Sequence, residues 1–369
     1  QACDDDFDKL DMANRRDAFC GKISVCNNLY QRNIPFSLTR LHTCPIESPQ
    51  FEDDLRWFKG VCAVVNGLKG ARIAMLGARP IAFNTVRYSE KLLQKHGISV
   101  QTIDFSEIIF KAMHYNDAEK VVAKIKEIRE YGSVPAWISD EVMEKQAKLC
   151  LVIDEAIEDL QCDASTVQCW DSVENNYGCA TCLAMSMMGD NGKPSACESD
   201  VTGALSMLAA WLAAGTAPAL MDWNNNIREE RNACVSLHCS NFPKSFFQND
   251  VEIECLDVLG STLGKENCFG ACKGHVAAGD MTFIRLTTDD QRGTVKAYLG
   301  EGVFRDEVIP TKGGVANCYI ENLQNLLRYV CENGYEHHVC FVRGHVADIL
   351  EEALTKYMGI PVYRHPNAC

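Results

Sequence analysis

Long apolar runs are missing from this 369-residue chain. No uninterrupted stretch approaches the roughly 20 apolar residues that a spanning helix needs, so a membrane partner is not expected. Basic charge is also scarce. Lys and Arg number 36 against 50 Asp and Glu, a formal net charge of −14. That argues against nucleic acid as the main partner, because phosphate binding needs a basic surface. The G-x-G-x-x-G fingerprint is absent, which removes the usual signal of a dinucleotide site. No internal repeat or low-complexity segment appears. The apolar share of 47% and charged share of 23% are ordinary for a globular protein. With two or three domains' worth of chain, the composition fits a cytoplasmic enzyme.

Cysteine is plentiful, at 20 residues, but below the density of a disulfide scaffold. Cys150, Cys169, Cys234, Cys331 and Cys340 fall within expected strands and helices and read as buried, reduced thiols. Cys179-Ala-Thr-Cys182 and Cys268-Phe-Gly-Ala-Cys272 each lack a second pair at zinc-finger spacing.

The chain begins at Gln1 with a charged stretch and reads as one entered partway through a domain. Residues 1–68 are expected to be the last part of a first α/β domain. Arg72–Leu76 is an apolar strand running into Gly77-Ala-Arg79-Pro80. A helix over 85–96, a strand over 98–104 and a helix over 106–115 follow. This βαβα alternation implies a parallel sheet, whose carboxyl strand ends are where such sheets bind ligands. Helices are expected over 117–131 and 139–161, the second capped by Ser139, and a strand over 164–170. Residues 171–197 read as a polar connection. From about 255 the pattern alternates as in antiparallel strands, over 281–287, 294–298 and 314–320, with helices over 321–333 and 345–358. The expected class is α/β: parallel-sheet, Rossmann-like domains over 1–68 and 69–250, then a β-rich, antiparallel or barrel-like domain over 251–369.

Two acids 24 positions apart, Glu198 and Asp222, stand out. Between them lies an apolar helix over about 201–214, stopped by Gly215, then a short strand over 217–221. Taken singly, each acid is an ordinary helix-terminal or strand-end carboxylate. Bracketing a buried helix, they are fixed in place and able to hold a divalent ion, move a proton, or both. Histidine adds to this. His337-His338 leads into the apolar strand 339–342, where one of two adjacent residues must face each way. His238 ends a strand over 233–239. Two carboxylates with one or two imidazoles make a mixed O/N donor set suited to Mn²⁺, Fe²⁺, Co²⁺ or Zn²⁺.

The run Ala-Cys-Glu198-Ser-Asp-Val-Thr-Gly203-Ala-Leu-Ser-Met, with Met-Asp222-Trp beyond it, resembles the metal-binding core of the L-fucose isomerase family. The tail Gly334-Tyr-Glu-His337-His338-Val-Cys-Phe-Val-Arg-Gly344-His345 resembles that family's C-terminal histidine motif and the His-His pair of the related L-arabinose isomerases. The arabinose type implies His338 as ligand; alignment to the fucose type implies His337. We take His338, with His337 as the alternate. The arabinose type also implies a ligand role for His238.

The resemblance implies a manganese or other divalent-metal aldose–ketose isomerase working through a cis-enediol. Glu198 and Asp222 would be acid/base and ligands, and His338 a ligand. Gln168, Trp170, Arg79 and His337 are candidate sugar contacts. It further implies a homo-oligomer, trimer or hexamer, with active sites shared between subunits. Two other readings compete: a non-catalytic sugar-binding homologue, weakened by the presence of both acids, and a metal-dependent lyase or hydrolase, distinguishable by its products.

Overall fold

The computed structural model describes residues 1–366. Helix Pro49–Leu68 begins where the sequence invites it: the Ser48 side chain accepts from Phe51 N, and Pro49 sits at the first helical position. Its Val61, Val64 and Leu68 are buried. Helix Ala18–Gln31, by contrast, buries none of its residues, and Ile23, Val25 and Tyr30 are more than half exposed.

Four strands, β1 (Arg72–Leu76), β2 (Ser99–Ile103), β3 (Ala164–Val167) and β4 (Ser195–Cys197), form a parallel sheet in the order β2-β1-β3-β4. Every residue of β3 and β4 is buried, as expected of strands covered on both faces. Helix Asp140–Asp159 covers part of this sheet. Ser139 caps it through Val142 N, and Met143, Ala147, Cys150, Ile153 and Ile157 line its buried face at helical spacing.

The remaining strands are β5 (Ala219–Ile227), β6 (Glu230–His238), β7 (Glu252–Cys255), β8 (Phe269–His275), β9 (Gly279–Asp289), β10 (Thr294–Arg305), β11 (Gly314–Tyr319), β12 (His338–Arg343) and β13 (Val362–Arg364). They form a sheet in the order β13-β10-β9-β12-β5-β6-β11-β8-β7. An extra pairing of β10 with β11 closes six of them into a ring, antiparallel throughout. Closure leaves those six strands without a free edge. Side chains on β5, β9 and β12 alternate between two cores. Met221, Phe283 and Phe341 pack into one; Leu220, Ile284, Cys340 and Val342 pack into the other, with helix Val201–Ala214. Among the described residues no helix is long and apolar enough to cross a membrane.

Several expectations change. The helix expected over 85–96 is only Glu90–Lys95, after a single tight turn at Asn84–Val86. Ser89 N donates to Thr288 Oγ1, which pins this segment to β9 instead of letting it coil. The 171–197 connection contains helices Ser172–Asn176 and Cys182–Asp190 and strand β4. The second helix is buried from Cys182 through Gly189, so it shows no polar face for periodicity to detect. The strand after Gly215 runs on to Ile227, which places Asp222 within β5 and not at its end. The β-rich sheet takes in β5 and β6, well before residue 255. Cys331 lies exposed on helix Leu323–Glu332, not buried.

Candidate metal centre

The site gathers where the parallel sheet meets the ring. β4 ends at Cys197, and Glu198 and Ser199 then adopt left-handed backbone, with φ of 64° and 56°. Trp170 and Asp171, after β3, do the same at 67° and 52°. Non-glycine residues held there cost on the order of 1–3 kcal/mol each and concentrate at functional sites. The two strained turns meet: Trp170 Nε1 donates to Glu198 Oε1 at 3.0 Å. Asp200 then caps the apolar helix, its Oδ1 accepting from Gly203 N at 2.8 Å. A Cβ on Gly203 would lie 2.4 Å from Asp200 Oδ2, so only glycine fits beneath this carboxylate.

The other donors come from the ring. The antiparallel register of β12 and β5 sets His338 directly opposite Asp222. His238 closes β6, the strand on the far side of β5. His338 Nε2 lies 3.2 Å from Glu198 Oε2 and 3.6 Å from Asp222 Oδ1. His238 Nε2 is 3.8 Å from Glu198 Oε1, and His337 Nε2 is 3.6 Å from Asp222 Oδ1. Glu198, His238 and His338 form one group able to share an ion, and Asp222, His337 and His338 form another; His338 belongs to both. Glu198 Oε2, Asp222 Oδ1 and His338 Nε2 are all buried without a hydrogen-bond partner. Buried polar atoms are rarely left so. Two carboxylate oxygens, each within 3.6 Å of one imidazole nitrogen, are donors of the kind a divalent cation of the borderline class takes.

Charge is strongly ordered around them. Burial alone would push the Glu198 carboxyl up, but the His338 and His238 imidazoles and the Trp170 indole hold it below the usual carboxylate value. Asp200 is likewise pressed upward by burial, yet Arg285 and His338 keep it far below. Burial opposes a charge on His338, and the carboxylates of Asp200 and Glu198 overcome that and raise it to about 10. His337 goes the other way, lowered by burial and by His338.

Trp170 and His337 border this cluster, with the Phe83 ring 5.4 Å from Trp170 and 6.2 Å from His337. Gln168 turns elsewhere. Its Oε1 accepts from Ala78 N at 2.8 Å, and it lines a separate crevice of about 710 Å³ near the carboxyl ends of β1 and β3. Arg79 lines a cavity of about 1020 Å³ that also touches Arg87, Ser199, Lys296 and Glu336. This cavity lies beside the carboxylate–imidazole cluster and does not contain it. Sequence reasoning missed Asp200 and Arg285 as neighbours of the site. A lone arginine inside the apolar strand 281–287 was the available signal, since an arginine is almost never fully buried without a partner.

Comparison with known proteins supplies the class of this chain, an aldose–ketose isomerase of sugars. Residues 236–365 match the model of the L-fucose isomerase C-terminal domain, and residues 1–69 match that of the fucose/sulfoquinovose isomerase N-terminal domain. Together these take in more than half of the chain, which belongs to the L-fucose isomerase family. It is similar to the sulfoquinovose isomerase of Priestia aryabhattai, with 27% identity over 343 residues, covering 92% of this chain and 74% of that protein. Sulfoquinovose isomerases of Alkalicoccus urumqiensis, 24% identical over 307 residues, and of Clostridium sp. (strain MSTE9), 27% over 296, are also similar. They are covered by 82% and 78% of this chain, and 66% and 63% of their own lengths are matched.

Proposed function

We propose that this isomerase is metal-dependent, holding Mn²⁺ or another divalent ion with Glu198, Asp222 and His338, and with His238 as a further imidazole donor. The observation that carries this reading is that two buried, unpartnered carboxylate oxygens, Glu198 Oε2 and Asp222 Oδ1, lie 3.2 and 3.6 Å from the equally unpartnered Nε2 of His338. The bound ion would polarise the sugar carbonyl.

The remaining chemistry belongs to the side chains. Glu198, held ionised at neutral pH, suits the base that removes the proton next to the carbonyl and leaves a cis-enediolate. Trp170 fixes its orientation by occupying Oε1. Asp222, whose side chain keeps a quarter of its exposure, would return a proton to the adjacent carbon. His337, Trp170 and Phe83 would form the wall against the open-chain sugar. Arg79 and Arg87 form no ion pair among the described residues, which supports an anionic group on the sugar reaching the neighbouring cavity. Sulfoquinovose, the sugar in the relatives' names, is therefore the first to test. A trimer or hexamer with shared sites is in keeping with the resemblance and with the exposed Ile23, Val25 and Tyr30.

The test uses protein stripped of metal and reloaded with Mn²⁺. It is incubated in D₂O with sulfoquinovose, L-fucose and a panel of other aldoses. Metal-dependent deuterium incorporation at C2, with ketose formation, is the expected result. No incorporation from any sugar, with Mn²⁺ bound, would remove the isomerase mechanism. Cleaved or hydrated products would replace it with a lyase or hydrolase.

A further inference from the structure

The ligand His338 has two ring nitrogens, and only one faces the donor cluster. The other, Nδ1, lies 2.8 Å from Asp200 Oδ2. Asp200 is fully buried and gripped by Arg285, whose Nη1 donates to Oδ2 at 2.6 Å and Nη2 to Oδ1 at 3.0 Å. A carboxylate held by a guanidinium accepts hydrogen bonds and donates none. Nδ1 must therefore carry the proton, which leaves Nε2 as the nitrogen aimed at Glu198 and Asp222.

Asp200 does more here than cap a helix. Capping uses Oδ1 alone, through Gly203 N. Oδ2 is given over to Arg285 and His338. Arg285, itself without exposed surface, also donates from Nη2 to Thr202 Oγ1 at 2.9 Å and from Nε to Glu336 Oε2 at 3.1 Å. Asp200 lies two residues after Glu198, and Glu336 two residues before His338. One guanidinium thus grips both ligand-bearing segments, one from each sheet. Resting on the metal reading above, the geometry points to Arg285 and Asp200 as positioning residues: Arg285 fixes Asp200, and Asp200 holds His338 in the orientation and tautomer that present Nε2 to the ion. Outer partners of this kind orient a ligand imidazole, and their loss typically weakens metal binding 10- to 100-fold.

The experiment measures Mn²⁺ affinity on the full chain by electron paramagnetic resonance of the free ion, with circular dichroism as the check on folding. Asp200→Asn keeps the shape and loses the charge, and the expected result is a 10- to 100-fold weaker affinity in a folded protein. Arg285→Lys keeps the charge and loses the fork; it is expected to fall between wild type and Asp200→Asn. A folded Asp200→Asn that binds Mn²⁺ as wild type does overturns the inference. Histidine-labelled wild type loaded with Zn²⁺ tests it with Asp200 and Arg285 unaltered. The ¹⁵N signals of His338, assigned by their loss in His338→Gln, should show a protonated Nδ1 and a metal-bound Nε2. The reverse assignment overturns the inference whether or not the variants fold. Wild type that binds neither ion instead overturns the metal reading on which it rests.

Discussion

Glu174 offers a direct test of how this fold treats a buried charge. It lies on the short helix Ser172–Asn176, 1% exposed, with both carboxyl oxygens buried and unpartnered. Burial, reinforced by the like charge of Asp171, raises its pKa from 4.5 to about 7, against a smaller opposing pull from its own backbone N–H. In the unfolded chain the group ionises near 4.5; in the folded chain it stays neutral until about 7. The folded state therefore binds the extra proton, and stability falls as pH rises between those values, then levels off. At about 1.4 kcal/mol per pH unit, the loss is on the order of 3 kcal/mol. Glu174→Gln supplies the neutral form permanently. Denaturant unfolding of both proteins at pH 4.5 and 8.5 is the assay. The variant should match wild type at the lower pH and exceed it by about 3 kcal/mol at the higher. Equal stability of the two proteins at pH 8.5 would refute the reasoning.

Three further outcomes are expected. Arg285→Met strands Asp200 and Glu336 as uncompensated buried charges and should cost about 3–5 kcal/mol in denaturant unfolding; adding Asp200→Asn and Glu336→Gln should restore most of it. Gly203→Ala drives a methyl to 2.4 Å from the pinned Asp200 Oδ2, so overpacking of about 1–3 kcal/mol should outweigh any gain in helix propensity, read by the same assay. Glu198→Gln keeps an acceptor for the Trp170 indole and should leave the circular dichroism spectrum unchanged, while turnover of the sugar falls at least about 10²–10⁴-fold.

Much of the frame was legible because local signals agreed. The apolar run after Asp200 and the Gly215 stop marked out helix Val201–Ala214, and Arg72–Leu76 was equally clear. Helix Cys182–Asp190 was hidden by its own burial, since a helix apolar on all sides carries no 3.6-residue pattern. At the site, the acids and histidines could be named, but not their mutual placement. The pairing of His338 with Asp222 is a matter of strand register between segments far apart in the chain. The left-handed turns at Trp170 and Glu198 carry no glycine to announce them. Arg285 could be recognised as a charge in an apolar strand, yet its attachment to Asp200 and Glu336 depends on how β9 is threaded into the ring.

Glu198 follows the last strand of the parallel sheet, whereas Asp222 and His338 stand on strands of the ring. Little chain lies between the two acids beyond one helix, buried in the second of the two cores, and the short turn that leads into β5. For inheritance this is a restriction. A recombination event that broke the gene between codons 198 and 222 would hand one descendant a carboxylate without its imidazole and the other an acid and imidazole without their partner. The two halves, so different in architecture, can only be passed on as one.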